Sequence, residues 1–223
     1  MTAADLRLDY FQIYEVGTKV AAGDVLVRGQ FDSRRVKMHL LVLDHFATPV
    51  SKNGEPIHDR HAHFAWYSGV QPPEPKRAVR VQNQFGTFRI CIASGQGLLV
   101  PTQKIEEGSQ YPDALDHYKV YRLVEVDIVQ KTRANLRDQF GPSRVRLLAP
   151  LYFAVPVEKR HDTKEFTVQN DRAHLLLFAT NTLDVEETTK VNIWNQFDKR
   201  KSIDVLRGVM LAVPGVKKDW KLA

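Results

Sequence analysis

The chain has 223 residues, 43% of them hydrophobic and 26% charged, with a formal net charge of +6. That balance suits a globular protein with a sizeable core and excludes a low-complexity or disordered chain. No apolar run approaches the roughly 20 residues of a membrane-spanning helix, and a single cysteine, Cys91, excludes an intrachain disulfide.

In chain order the first signal is the start, Met1-Thr2-Ala3-Ala4-Asp5-Leu6, which lacks the basic-then-apolar pattern of a signal peptide. A processed or recombinant start would look the same. With one cysteine, the expectation is a cytoplasmic protein. Then Gln30-Phe31, Gln84-Phe85, Gln139-Phe140 and Gln196-Phe197 recur at spacings of 54, 55 and 57 residues. They divide the chain into four units, about 1–57, 58–110, 111–168 and 169–223. The first element of each unit is rich in aromatic and β-branched residues, as in Asp9-Tyr10-Phe11-Gln12-Ile13-Tyr14 and Ala62-His63-Phe64-Ala65-Trp66-Tyr67. Such residues favour strands. The second element alternates with period two: Val25, Val27; Val79, Val81; Ala134, Leu136; Val191, Ile193. It ends at Gly29, Asn83, Asp138 or Asn195, residues that tolerate left-handed or bulged backbone, so a bulge or a turn start is expected there. Gln-Phe then forms a corner, with the phenylalanine as a core plug and the glutamine satisfying backbone groups at the bend. A third strand follows, and a fourth element runs into Pro49, Pro101, Pro156 or Pro214, with a lysine three residues later at Lys52, Lys104, Lys159 and Lys217. A proline there suits a strand end or edge. About sixteen short strands result, and long helical periodicity is absent. The expected class is all-β, with two pseudo-symmetric sandwich or barrel halves at 1–110 and 111–223. One closed four-bladed propeller is the alternative.

The pattern Asp-His-Phe-x-x-Tyr, Val-x-Val-x-Asn-Gln-Phe-Gly, Leu-Leu-x-x-Pro-x-x-Lys resembles an uncharacterised bacterial β-repeat domain, common in predicted secreted proteins. The stretch Pro49-Val50-Ser51-Lys52-Asn53-Gly54-Glu55, leading to His61-Ala62-His63-Phe64, is close to that family's junction between repeats. The resemblance covers nearly the whole chain. It implies a fold and carries over no catalytic residues. Many members have a cysteine before the tyrosine of the first element and another two residues before the proline of the fourth. The matching pairs here are Ile13 with Ala47, Trp66 with Leu99, Val120 with Ala154, and Leu177 with Ala212, all apolar. The resemblance therefore implies that first and fourth strands are neighbours, joined here by packing, and it points to an intracellular branch.

Few residues converge on chemistry. His58, His61 and His63 lie within six residues and could hold a transition metal. However, His63 shares its place with His117, His174 and Tyr10, which favours a structural role at a strand start. Cys91 lies in Phe88-Arg89-Ile90-Cys91-Ile92 and reads as a buried structural thiol. Glu106-Glu107 and Glu186-Glu187 read as solvated loop carboxylates. No nucleophile elbow or phosphate loop occurs, so no enzyme activity and no cofactor is expected. Basic residues follow the corners: Arg34, Arg35, Arg144, Arg146, Lys199, Arg200 and Lys201. They suit either a polyanion surface or the charged edges that discourage strand-to-strand aggregation. Few aromatics are interleaved with them, which argues against a single-strand nucleic-acid platform, and sequence-specific nucleic-acid binding is not expected. Trp194, on the outer face of the second strand, and Trp220, in a basic tail, are the candidate contact aromatics. The expected role is a non-enzymatic structural or assembly component with a protein partner or self-assembly. A carbohydrate- or polyanion-binding module is the first alternative and a metal-dependent enzyme at His58 the second.

Overall fold

A computed structural model describes residues 6–126, 132–182 and 188–223, except the side chains of 21, 22 and 182. Twelve strands are present among them: β1 (Tyr10–Gly29), β2 (Val36–Lys52), β3 (His63–Val70), β4 (Arg77–Asn83), β5 (Gly86–Lys104), β6 (His117–Val126), β7 (Thr132–Asp138), β8 (Gly141–His161), β9 (Lys164–Phe166), β10 (His174–Thr182), β11 (Thr189–Trp194) and β12 (Lys201–Leu222). The chain is all-β, as its residue pattern predicts. The strands are fewer and longer than expected, because third and fourth elements fuse in every unit, giving β2, β5, β8 and β12. In the first unit the first two elements also fuse, giving β1.

Eight strands close a ring in the order β1–β2–β3–β5–β6–β8–β10–β12, and β12 returns to β1. Every pairing is antiparallel, and each unit supplies two neighbouring strands. Within units the register pairs Ile13 with Ala47, Trp66 with Leu99, Val120 with Ala154, and Leu177 with Ala212. These are the four apolar pairs implied by the resemblance. All eight side chains lie in one buried cluster with Phe11, Phe64, Tyr118 and Leu175. Alternate residues of the same strands face two further clusters, one against the hairpins carrying Val79, Val81, Ala134 and Leu136, the other against those carrying Val25, Val27, Val191 and Ile193. The period-two pattern thus buries both faces of the ring strands.

Pro49, Pro101, Pro156 and Pro214 do not end strands; each lies inside one, opposite Phe11, Phe64, Tyr118 and Leu175 respectively. On the other side each stands two residues past the last pair with the next unit's first strand, at Ala47, Leu99, Ala154 and Ala212. The missing N–H therefore removes no ladder bond. Beyond the proline the strand takes a new neighbour, the hairpin of the unit two places away. β1 pairs with β8 (Gly29 with Val157), β7 with β2 (Leu136 with Lys52), β4 with β12 (Asn83 with Gly215) and β11 with β5 (Ile193 with Lys104). Residues 1–110 and 111–223 thus meet in one ring at β5–β6 and β12–β1 and also exchange hairpins, which neither two separate sandwiches nor propeller blades would do. No helix among the described residues is long and apolar enough to cross a membrane.

Candidate functional site

Gln-Phe occupies the two central positions of a tight turn, with Asn83 paired to Gly86 and Asp138 to Gly141. Asn83, Asp138 and Asn195 each accept the backbone N–H of the corner phenylalanine on Oδ1, at 2.8, 2.9 and 2.9 Å. Their side chains cap the turn. The turn thus starts at Asn83 and Asp138, as expected, and the positive φ falls on the glycine after Gln-Phe in two units, 125° at both Gly86 and Gly141.

Both corner side chains reach into other units. Gln139 meets Nε2 of His63 at 3.1 Å, Gln196 meets Nε2 of His117 at 3.4 Å, and Gln30 meets Nε2 of His174. Each glutamine therefore binds the strand-start histidine of the preceding unit, and the last unit closes onto the first. Unit 1 has Tyr10 in place of histidine; its hydroxyl donates to Glu55 at 3.0 Å, and Nε2 of Gln84 is buried without a partner. The recurrent lysines obey the same step: Lys104 stands over Phe140, Lys159 over Phe197 and Lys217 over Phe31, at 6.0, 5.0 and 5.2 Å from the ring centres. The aromatic closing the first strand reaches two units on. Tyr14 packs edge-on against Phe140, Tyr67 against Phe197, Tyr121 against Phe31 and Phe178 against Phe85, at 5.1 to 5.7 Å.

Two lysines are wholly enclosed. Lys119 on β6 has no exposed side-chain surface and donates to Glu74 at 3.0 Å and Asp32 at 3.3 Å. Gln71 and the N–H of Gly95 also donate to Glu74, at 2.6 and 3.2 Å. Burial raises the pKa of Asp32. Burial also acts upward on Glu74, but the Lys119 charge and a hydrogen bond with Asp32 outweigh it, so that carboxyl falls below its ordinary range. A β-carbon on Gly95 would lie 2.6 Å from Cε of Lys119, so glycine is what lets the stem pass. Among the described residues Lys159 has no carboxylate partner. Its Nζ is hydrogen-bonded to Nε2 of His117 at 2.9 Å and lies 4.6 Å from the Phe166 ring centre. Burial draws Lys159 down to about 6. Burial, then the Lys159 charge, lowers His117 well below 6.5.

A pocket of about 600 Å³ lies between the 53–60 loop and the corner of unit 3. Its acids are engaged internally: Glu55 with Lys52 (2.5 Å) and Tyr10, Glu106 with Lys104, and Asp138 with the Tyr14 hydroxyl (2.8 Å). Arg60 and Arg137 also line it, and among the described residues neither has an ion-pair partner. Arg137 continues onto the outward face of the β7–β8 hairpin, where Arg133 stands opposite Arg146 and Asn135 opposite Arg144.

Residues 63–214, more than half of the chain, match a family model described as a repeat of unknown function, DUF7450. The chain belongs to this family. No curated protein and no solved structure matches it. The DUF7450 match begins at His63, the strand-start histidine of unit 2, and ends at Pro214, the strand proline of unit 4. The structure does not gather the three candidate metal histidines. His63 is buried and uses both ring nitrogens, Nδ1 toward the carbonyl of His61 and Nε2 toward Gln139. Among the described residues no group of three or more His, Cys, Asp or Glu could hold a metal. Cys91 is buried and free. Glu186 and Glu187 lie outside the described residues.

The basic candidates differ in their pairing. Arg35 pairs with Glu165 at 3.0 Å, and Lys201 pairs with Asp198 at 2.8 Å. Arg34, Lys199 and Arg200 are exposed. Arg144 and Arg146 share the β7–β8 face. Trp194 is 39% exposed and packs edge-on against Tyr111 at 5.1 Å; Trp220 is 40% exposed and does the same with Phe31 at 5.2 Å. Each thus offers only part of its surface. Arg60, Arg133, Arg137, Lys119 and the Lys159–His117 pair are absent from the sequence-derived candidates. For Arg133 and Arg137 a signal existed: Arg133-Ala134-Asn135-Leu136-Arg137 alternates and places arginine on the outward positions.

Proposed function

We propose that this chain is a non-enzymatic structural or assembly component: a closed scaffold that acts through its outer surface. We also read it as four copies of the family's repeat, supported by the four equivalent strand registers. The observation that carries the functional reading is where the recurrent reactive side chains go. The three strand-start histidines, the corner glutamines Gln30, Gln139 and Gln196, and the post-proline lysines Lys104, Lys159 and Lys217 contact another unit, whereas Lys52 pairs within its own and the Gln84 amide has no hydrogen-bond partner. Groups held this way are occupied by the fold, and the buried carboxylates Asp32 and Glu74 are neutralised by Lys119. Partner contacts are left to exposed apolar residues such as Val20, Val70 and Leu222, 81%, 56% and 63% exposed, and to cationic surfaces. Native mass measured over rising concentration, together with proteins that copurify from the source cell, tests this. A strict monomer at high concentration with no copurifying protein would overturn it.

A second reading, an anion-binding module, is favoured by one asymmetry. On the unit 1 hairpin Arg28 is paired with Glu158 (2.7 Å), Arg35 with Glu165 (3.0 Å) and Lys37 with Asp24 (2.5 Å). On the unit 3 hairpin, with which it trades places, Arg133, Arg137 and Arg146 have no acidic partner among the described residues.

A further inference from the structure

We infer that the outward face of the β7–β8 hairpin binds an acidic polysaccharide, its sulfate or carboxylate groups lying along an arginine ladder that runs into the pocket holding Arg60. This deepens the anion-binding reading and rests on it. The ladder follows from register. Ala134, Leu136, Val145 and Leu147 point into the core, so Arg133, Asn135, Arg137, Arg144 and Arg146 point out. Positions two apart along a strand are about 6.6–6.8 Å apart, and directly opposed pairs are about 5 Å apart. Arg133 faces Arg146 directly. Like charges so placed repel, and among the described residues Arg133, Arg137 and Arg146 have no acidic partner. An anion from outside the chain would relieve that repulsion, and a guanidinium offers paired donors that match a sulfate or carboxylate. Asn135 and Asn181 are exposed amides in the same rows, Asn181 opposite Arg146, suited to sugar hydroxyls. No aromatic side chain lies on these outward positions, so the stacking that carries single-stranded nucleic-acid binding is missing. A glycan is thereby favoured over an oligonucleotide.

The test is affinity for a heparin oligosaccharide, measured with the full chain at fixed salt. Arg133→Glu/Arg137→Glu/Arg146→Glu should weaken binding by about tenfold to a hundredfold, three surface contacts being lost. Arg28→Glu, on the unit 1 hairpin, should change it by less than about threefold. A circular-dichroism melt shows that each variant is folded, and Arg133→Gln/Arg137→Gln/Arg146→Gln stands in if the reversal variant is not. If the ladder variant binds normally while reversal at Arg34, Arg35, Lys199 and Arg200 abolishes binding, the anion-binding reading stands and the ladder is refuted. If the parent chain does not bind heparin at all, both fail. If a single-stranded oligonucleotide binds as tightly as heparin, the polysaccharide assignment is overturned.

Discussion

Lys119 and Lys159 are both sealed from solvent, yet their surroundings have little in common. Lys119 belongs to one unit only; the equivalent residues are Gln12, Ala65 and Leu176. Its partners are equally singular, Asp32 at the corner of unit 1 and Glu74 in a loop of unit 2. Lys159 is the recurrent post-proline lysine, and its box is built from recurrent parts: the strand-start His117 and the corner Phe197, with Phe166 added. Lys119, which departs from the repeat, is supplied with charge by Asp32 and Glu74, whereas Lys159, which follows it, sits in an aromatic site built from repeat residues, where burial favours its neutral form. The two sites show two ways of enclosing an amine, neutralisation by acids and neutralisation by deprotonation.

The sharpest way to break this contrast is to remove the amine from each site. Lys119→Leu strands two carboxylates in the interior. It should destabilise the chain by about 3–5 kcal/mol, the usual consequence of leaving a buried charge unpaired. Urea unfolding at pH 7 measures it, and a loss below about 1 kcal/mol would show that Asp32 and Glu74 do not depend on the lysine. Lys159→Met should act in the opposite sense. The folded pKa of Lys159, about 6, lies below the ordinary 10.5. Between those values the unfolded chain carries the extra proton. Parent stability therefore rises with pH across this window, by up to about 1.4 kcal/mol per unit. The penalty is complete below pH 6 and vanishes above 10.5. Methionine has no proton to lose, so the variant should be more stable than the parent at pH 6.5, with an advantage that shrinks by about 1 kcal/mol per pH unit up to 8.5. An advantage that stays constant with pH would show that Lys159 is charged in its box.

How much of this was legible in the sequence differs between the parts. The Gln-Phe spacing locates four turns, and the apolar pairs matched to the family's cysteines give the strand register of every unit. Closure was not legible, because a 54- to 57-residue period describes each unit and is silent about which unit a hairpin joins. The clue lay in three motifs that recur together: a strand-start histidine, a corner Gln-Phe and a post-proline lysine. Each has a side chain that cannot be satisfied alone, and Tyr10 replaces histidine in the unit preceding Gln84, whose amide is left without a partner. Lys119 hid for a different reason. In His117-Tyr118-Lys119-Val120-Tyr121 an alternating strand reading assigns lysine to solvent, whereas the corner of unit 1, with Asp32, and the unit 2 loop, with Glu74, cover that face.

The smallest expected effect probes the acid-rich site through its tyrosine. Tyr121 and Tyr67 occupy equivalent positions, both wholly buried, and both reach toward the corner two units away. The Tyr67 hydroxyl donates to Asp198 at 2.6 Å and receives the amide of Asn195 at 2.9 Å. The Tyr121 hydroxyl is buried with no hydrogen-bond partner, although Asp32 and Glu74 are near enough to raise its pKa after burial itself. Lys119 draws both carboxylates to itself, and its Nζ lies 5.1 Å from the Tyr121 ring centre, over the ring rather than at the oxygen. Tyr121→Phe therefore removes an unsatisfied polar atom and should leave stability within about 0.5 kcal/mol of the parent or raise it. Tyr67→Phe should cost about 1.5–3 kcal/mol, because it leaves Asp198 and Asn195 short of a partner. Paired chemical denaturation of the two variants checks the difference. Equal losses would mean that Tyr121 does hydrogen-bond to Asp32 or Glu74 in solution, and that the lysine shares its carboxylates after all.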